Sequence, residues 1–313
     1  MNDQKPVIIR SVNISTKKGT IKTPVDSATI TTKGVQGDAH SGPWHRQVSL
    51  LSLQSLINFK KIAGREIQWG EFAENLTLEG IDLTQAGLLD RFFNDQAELE
   101  VTQIGKECHG DACAIFREVG KCAMPKEGIF CRVVRPGNVK PGDRLTYVPK
   151  IFRVMVLTLS DRASRGDYED KSGKLIAGEL ENFLPQHFNR HTIDHHIITD
   201  DTNALKQITK DAREKGMDLL ITTGGTGIGS RDITPETLSS LIDKQLPGIM
   251  EMIRVKTGVK NPNALLSRSV AGTYGKMLIY ALPGSPQAVK EYLEVILPTL
   301  KHSYLMLNDL NVH

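Results

Sequence analysis

Neither a signal sequence nor an apolar run of membrane-spanning length occurs in the chain, so a cytoplasmic protein with no membrane role is expected. Charge of one sign is also scarce: 39 Lys and Arg stand against 36 Asp and Glu, a net +3. That balance gives no basis for a nucleic-acid partner, and the Lys17-Lys18 and Lys60-Lys61 pairs read as solvated faces. Internal repeats, heptads and low-complexity stretches are missing. Cysteine is limited to Cys108, Cys113, Cys122 and Cys131, and disulfides are not expected in a reducing compartment. Their C-x4-C-x8-C-x8-C spacing lacks the paired short hooks of structural zinc sites. Cys113 and Cys131 fit better as small buried hydrophobes. Two common nucleotide motifs are absent as well: counted from Gly225, the third glycine of G-x-G-x-x-G falls on Ser230, and no G-x-x-x-x-G-K-[ST] occurs.

What the chain does have is DLLITTGGTGIGSRDITPE, Asp218 to Glu236. The apolar run Leu219–Ile221 leads into a loop in which Gly224, Gly225, Thr226 and Gly227 can bring backbone amides close to an anion. Behind it, Thr234 is expected to cap a helix, with Pro235 in the first turn and Glu236 at the positive end. Asp232 then lies between a phosphate cradle and a helix start, where a carboxylate can hold a metal ion. By itself such a cluster is an ordinary strand-to-helix turn; its neighbours change the reading.

Three further apolar runs in the same half also end in polar loops. Val154–Leu157 ends in Ser160, Asp161 and the segment holding Asp170, Ser172 and Gly173. Thr192–Ile198, which alternates through Asp194, His195 and His196, ends in Asp200 and Asp201. Met277–Leu282 ends in Pro283, Gly284 and Ser285. Helical stretches follow at Leu175–Leu184, at about 204–215, and after Pro286, where Val289, Tyr292, Leu293, Ile296 and Leu300 share one face. Strands alternating with helices predict an α/β domain with a mostly parallel sheet flanked by helices, which gathers these loops at one rim.

The segments LTLSDRASRGDYEDKSG, TTGGTGIGSRDITPE and ALPGSPQAV, in this order over about residues 151–302, resemble the molybdopterin adenylyltransferases. The resemblance implies a trimeric α/β enzyme that transfers AMP from Mg-ATP to the terminal phosphate of molybdopterin, in company with other proteins of molybdenum cofactor biosynthesis. The family's two catalytic carboxylates correspond to Asp200 and Asp232, with Asp201 adjacent to the first. Nucleotidyl transfer brings one anion against another, so positioning and charge neutralisation matter more than a strong base. Asp200 and Asp232 suit Mg²⁺. Ser160, Asp161, Asp170, Ser172, Gly173, Gly224, Gly225, Thr226, Gly227, Pro283, Gly284 and Ser285 are the expected substrate and nucleotide contacts.

Residues 1–148 differ in texture from residues 151–313. Short glycine-punctuated runs at 7–9, 28–30, 76–78, 99–101, 128–134 and 144–148 suggest a β-rich barrel, interrupted by one helix expected at Ser49–Ala63. Pro149-Lys150 is the expected joint. GVQGDAHSGPWHRQVSLL, GEFAENLTLEGIDL and the cysteine-bearing stretch to Leu145 resemble the MOSC family, spanning about residues 30–145. That resemblance implies molybdenum cofactor binding or sulfur transfer, with Cys108 as the sulfur carrier. His40 and His45 either meet an anionic ligand or make turn hydrogen bonds. The combined expectation is a fusion of two molybdenum cofactor activities. Its rivals are a non-catalytic pterin carrier and scaffold, and a nucleotide or pterin hydrolase.

Overall fold

The computed structural model describes residues 6–106 and 123–310. The chain divides into two compact units, Met1–Lys150 and Ile151–His313. No helix among the described residues is long and apolar enough to cross a membrane.

The first unit is built from β1 (Val7–Ile14), β2 (Thr23–Val25), β3 (Ala28–Thr31), β4 (Gly34–Val35), β5 (Val48–Ser52), β6 (Leu76–Glu79), β7 (Arg91–Phe93), β8 (Glu98–Ile104), β9 (Ile129–Arg135), β10 (Gly137–Val139) and β11 (Arg144–Val148). Pairing runs β11-β7-β8-β9-β5-β6-β1, and β1 pairs back onto β11, which closes a seven-stranded barrel with β2 attached outside. Closure leaves the ring without an unpaired edge. Strands β10, β3 and β4 form a separate small sheet. Inward residues Ile9, Leu50, Leu76, Leu78, Phe92, Val101, Ile129 and Cys131 fill the barrel. Burial pushes the Cys131 thiol well above its ordinary value, as an inert core cysteine requires. Cys108, Cys113 and Cys122 lie outside the described residues.

Among the described residues, helices α1 (Leu53–Ala63) and α2 (Met124–Glu127) accompany the barrel. The helix expected from Ser49 thus begins four residues later. Ser49–Ser52 belong to β5, buried at every position between β6 and β9, and a fully buried strand shows no alternation to separate it from a helix. Ser52 is the boundary: its hydroxyl accepts the Ser55 amide as the helix N-cap.

The barrel also buries charge. Lys22 and Asp38, each almost wholly enclosed, pair at 2.6 Å. Asp38 further accepts from Asn75 Nδ2 and the amides of Ser15 and His40, and its carboxyl is held well below the usual range against the opposing effect of burial. This anchors the GDAHSGPWH loop. The carbonyl of His40 accepts from the Trp44 indole and that of His45 from Thr102, so both histidines take part in loop hydrogen bonding through their backbones.

Glu74 is fully buried; it accepts from the Gly70 amide and the Thr77 hydroxyl, and burial pushes its carboxyl up to about 7. The native state therefore keeps the proton that the unfolded chain releases near its ordinary value of 4.5. Stability is complete below that value and falls as pH rises toward about 7. Glu74→Gln removes the titration. Its stability relative to the native chain is expected to improve by up to ~3 kcal/mol between about pH 5 and about pH 8, measured by denaturant unfolding of the first unit. An offset that does not change with pH rejects this assignment.

The second unit contains β12 (Phe152–Leu159), β13 (His191–Ile198), β14 (Leu219–Thr223), β15 (Lys244–Gln245), β16 (Ala271–Tyr274) and β17 (Met277–Leu282). The order is β13-β12-β14-β17-β16-β15, with the first four parallel and the last two antiparallel. Its helices are α3 (Asp161–Ser164), α4 (Lys171–Phe183), α5 (Thr202–Glu214), α6 (Thr234–Ser239), α7 (Pro247–Gly258) and α8 (Pro286–Leu307). Leu205 and Ala212 of α5 and Leu238 of α6 pack on Met155, Leu157, Leu220 and Ile279. Helices α4 and α8 touch one another, with α4 also on β12 and α8 on β17. Central strands β14 and β17 are buried at every position, as a sheet covered on both faces demands. Strand β13 lies at the edge and is buried at none, which accounts for its polar alternation.

Candidate active site

The parallel strands end together. Leu159 closes β12, Asp200 follows β13 by two residues and Gly225 follows β14 by two. Around them opens a cleft of about 400 Å³, lined by Leu159, Ser160, Asp161, Arg162, Asp200, Gly225 and Gly229 to Asp232. This is where open α/β sheets bind ligands. Ser160, Asp161, Asp200, Gly225 and Asp232 are thereby brought to one place.

Two of the carboxylates are locked back to back. The Asp161 amide donates to Asp200 Oδ2 and the Asp200 amide to Asp161 Oδ1, both at 3.2 Å. Asp201 has a different job, for it caps α5 by accepting the Ala204 amide at 2.7 Å. Partial burial raises the Asp200 carboxyl; the Asp161 amide and Arg231 lower it, while the charges of Asp161 and Asp232 raise it further. Asp232 Oδ2 accepts the Gly229 amide at 2.7 Å. Arg231 pairs with Asp161 at 3.7 Å but is 82% exposed, so solvent screens most of its charge. Hard oxygen donors with surplus negative charge match what Mg²⁺ takes, one or two carboxylates plus phosphate oxygens. No group of three or more His, Cys, Asp or Glu among the described residues forms an all-protein metal cage.

The glycine loop is shaped by close approach. Gly224 and Gly225 have φ of +103° and +62°, and a Cβ on either would overlap Leu159 O or the Thr234 hydroxyl. The Gly224 amide is already engaged by Leu282 O at 3.0 Å, so it is not available to a phosphate. The amides of Gly225, Thr226 and Gly227 meet no acceptor among the described residues. Thr234 differs from expectation: Ile233 holds the N-cap position of α6 without a side-chain cap. The Thr234 hydroxyl instead donates to Gly224 O at 2.9 Å, tying the loop to the helix.

The remaining expected residues, Asp170, Ser172, Gly173, Gly224, Thr226, Gly227, Pro283, Gly284 and Ser285, lie outside the cleft lining. Ser172 donates to Gly284 O and Thr223 to Pro283 O, which stitches the LPGSP loop to its neighbours. Ser285 caps α8 through the Ala288 amide, and Ser160 caps α3 through the Ala163 amide. Asp170 is buried; it caps α4 through the Gly173 amide and accepts from the Thr158 hydroxyl at 2.6 Å, with His195 Nε2 at 2.8 Å. Thr226 is buried as well. Sequence reading gave no role to Arg162 and Arg231, although each adjoins an aspartate of a quoted motif, nor to Arg268, which lies 36 residues from the Asp232 carbonyl it holds and so shares no local pattern with it.

Comparison with known proteins bears on the same residues. The family described as "Probable molybdopterin binding domain" matches residues 155–302 and the MOSC domain matches residues 37–146. A molybdopterin adenylyltransferase of Helicobacter pylori is 39% identical over 169 residues, covering 51% of this chain and 94% of that protein. Another, of Pyrococcus furiosus, is 38% identical over 159 residues, covering 49% and 90%. The crystal structure of the molybdopterin biosynthesis enzyme MoaB of Thermus thermophilus is 36% identical, covers 51% of this chain and 98% of that one, and superposes with a TM-score of 0.46.

Two glycines at the site carry opposite expectations. A Cβ on Gly173 would overlap Asp170 Oδ2, His195 Nε2 and Thr158 Oγ1, whereas on Gly284 it would meet Gly224 Cα at an ordinary 3.5 Å. Gly173→Ala is expected to cost about 1–3 kcal/mol and Gly284→Ala less than about 0.5 kcal/mol, read from unfolding of the second unit. Equal losses in the two variants contradict this packing.

Proposed function

Because this chain belongs to the molybdopterin adenylyltransferase family through its second unit and carries a MOSC domain in its first, we propose that the second unit transfers AMP from ATP to molybdopterin. In this step a terminal phosphate oxygen of molybdopterin forms a bond to the α-phosphorus of ATP. The bond from that phosphorus to the bridging oxygen breaks, and pyrophosphate leaves with the electron pair. The observation that carries the reading is the meeting of Asp161, Asp200 and Asp232 with the glycine loop in one cleft.

The chemistry follows from charge. Two anions must approach within bonding distance, so the site has to cancel repulsion and fix the reacting atoms. Asp200 and Asp232 would hold Mg²⁺, which when bound neutralises phosphate charge. The free amides of Gly225, Thr226 and Gly227 supply donors to phosphate oxygens, directed by a backbone that needs no rearrangement. Arg162 and Arg231 at the rim add positive charge where polyphosphate enters. Ser172 and the LPGSP loop are further substrate contacts of this reading, outside the cleft lining. The same reading includes a homotrimer through the second unit, for which exposed Met252, Val255, Leu265 and Leu266 offer apolar surface.

For the first unit we infer molybdenum cofactor binding or sulfur carriage on Cys108, supported by the MOSC match over residues 37–146. On one chain, each site raises the effective concentration of the other's product, to the extent that the connection allows both to engage.

Pyrophosphate release that requires both ATP and molybdopterin, with an adenylylated pterin found by mass spectrometry, is the expected result. Asp232→Asn should lower that rate by at least about a hundredfold while pterin binding survives. Substrate loss without adenylylated product favours a hydrolase, and binding with no turnover favours a carrier and scaffold. Separately, incubation with a persulfide donor, which leaves as its thiol, should transfer one sulfane sulfur to the peptide holding Cys108 and none in Cys108→Ser. An unmodified Cys108 removes the carrier role.

A further inference from the structure

Arg268 is half-exposed, stands outside the cleft lining, and makes three bonds to one loop and a fourth to the helix that follows it. Its amide donates to Thr226 O at 3.0 Å, Nε to Gly227 O at 2.7 Å and Nη2 to Asp232 O at 2.8 Å. Nη1 pairs with the Glu236 carboxylate in the first turn of α6. The Thr226-Gly227 end of the loop and its Asp232 end are thus held by one residue.

The consequence follows from peptide geometry. In a trans peptide the C=O and the next N–H point in opposite directions. Carbonyls of Thr226, Gly227 and Asp232 that turn toward Arg268 therefore turn the amides of Gly227, Ile228 and Ile233 away from it. None of these three amides finds an acceptor among the described residues. The glycines allow the loop many conformations, and the planar guanidinium fork selects one. Asp232 is fixed twice, by its carbonyl on Arg268 and by its carboxylate on the Gly229 amide.

We propose that Arg268 is the positioning residue of the anion cradle: it never meets substrate, but it sets the direction of the loop amides and the place of the Asp232 carboxylate. The catalytic part of this inference rests on the adenylyl-transfer reading; the ordering of the loop does not. A lysine has one point of charge and cannot collect separate carbonyls, so Arg268→Lys should fail nearly as Arg268→Ala does.

Hydrogen–deuterium exchange on the full chain without substrate tests the ordering directly. Amides of residues 226–233 should exchange at least about tenfold faster in both variants, with the rest of the second unit unchanged. Unchanged exchange in that loop overturns the proposal, and so does faster exchange throughout the unit with a lowered melting temperature, which marks a general stability role. Should Arg268→Ala not fold, Arg268→Lys carries the measurement. In turnover with ATP and molybdopterin, kcat should fall and KM for ATP should rise in Arg268→Ala, with partial recovery on adding millimolar guanidinium ion. A native chain that exchanges as described but releases no pyrophosphate defeats the adenylyl-transfer reading and leaves the loop-ordering role standing.

Discussion

Parallel strands have to release the chain at the same edge, and the second unit depends on that constraint. Leu159, Ile198, Thr223 and Leu282 are the last residues of four strands in register, so whatever the sequence puts after each of them becomes a neighbour of the others. The central strands are buried at every position, and the sheet's stability derives from apolar packing beneath the loops. The loops are then free to carry groups that would be costly in a core. Three carboxylates with two exposed arginines, Arg162 and Arg231, beside them are such a group. Partial burial first, and then the charges of Asp161 and Asp232, push the Asp200 carboxyl up, and a cation is the class of ligand that relieves such a cluster.

The first unit uses the opposite arrangement, with charge buried beneath its loops rather than exposed at a rim. Lys22 and Asp38 are expensive to desolvate and are tolerated because each is paired and hydrogen-bonded. Their partners, Ser15, His40 and Asn75, come from different parts of the chain. The pair therefore fixes the long GDAHSGPWH loop against β1 and the segment before β6, a specificity that apolar contacts alone do not provide. Glu74 lies in the same polar interior but lacks a full counter-charge, and so keeps its proton up to about 7.

How much of this was legible in the sequence depends on whether a residue acts locally. The buried strands of the second unit showed as apolar runs, and β13 remained readable despite His195 and His196 because edge strands alternate. The carboxylates and glycines were found because they follow strands directly. The start of α1 was missed for a physical reason: Val48–Ser52 is buried on both sides, which erases the period that tells strand from helix. Lys22 and Glu74 gave no signal, since a lysine or glutamate in sequence looks solvated until distant segments close over it. Arg268 was invisible in the same way, because it lies 41 residues from the Gly227 carbonyl it holds and no local pattern joins the two.

The choice between Asp200 and Asp201 shows what structure adds to motif. Adjacent residues of identical chemistry differ because a strand-to-helix turn sends successive side chains in different directions. Asp201 is at the point where α5 begins, with its carboxylate spent on the Ala204 amide. Asp200, one residue earlier, faces Asp161 across the cleft. The same division runs through the whole rim. Ser160, Asp170 and Ser285 are also helix caps, which is the commonest use of such residues at strand ends. Once the caps are set aside, Asp161, Asp200 and Asp232 remain as the acidic side chains lining the cleft, and Asp232 is held there by the Gly229 amide on its carboxylate and by Arg268 on its carbonyl. A cleft of this kind separates the groups that meet the ligand from the groups that aim them, and the two sets come from different stretches of the chain.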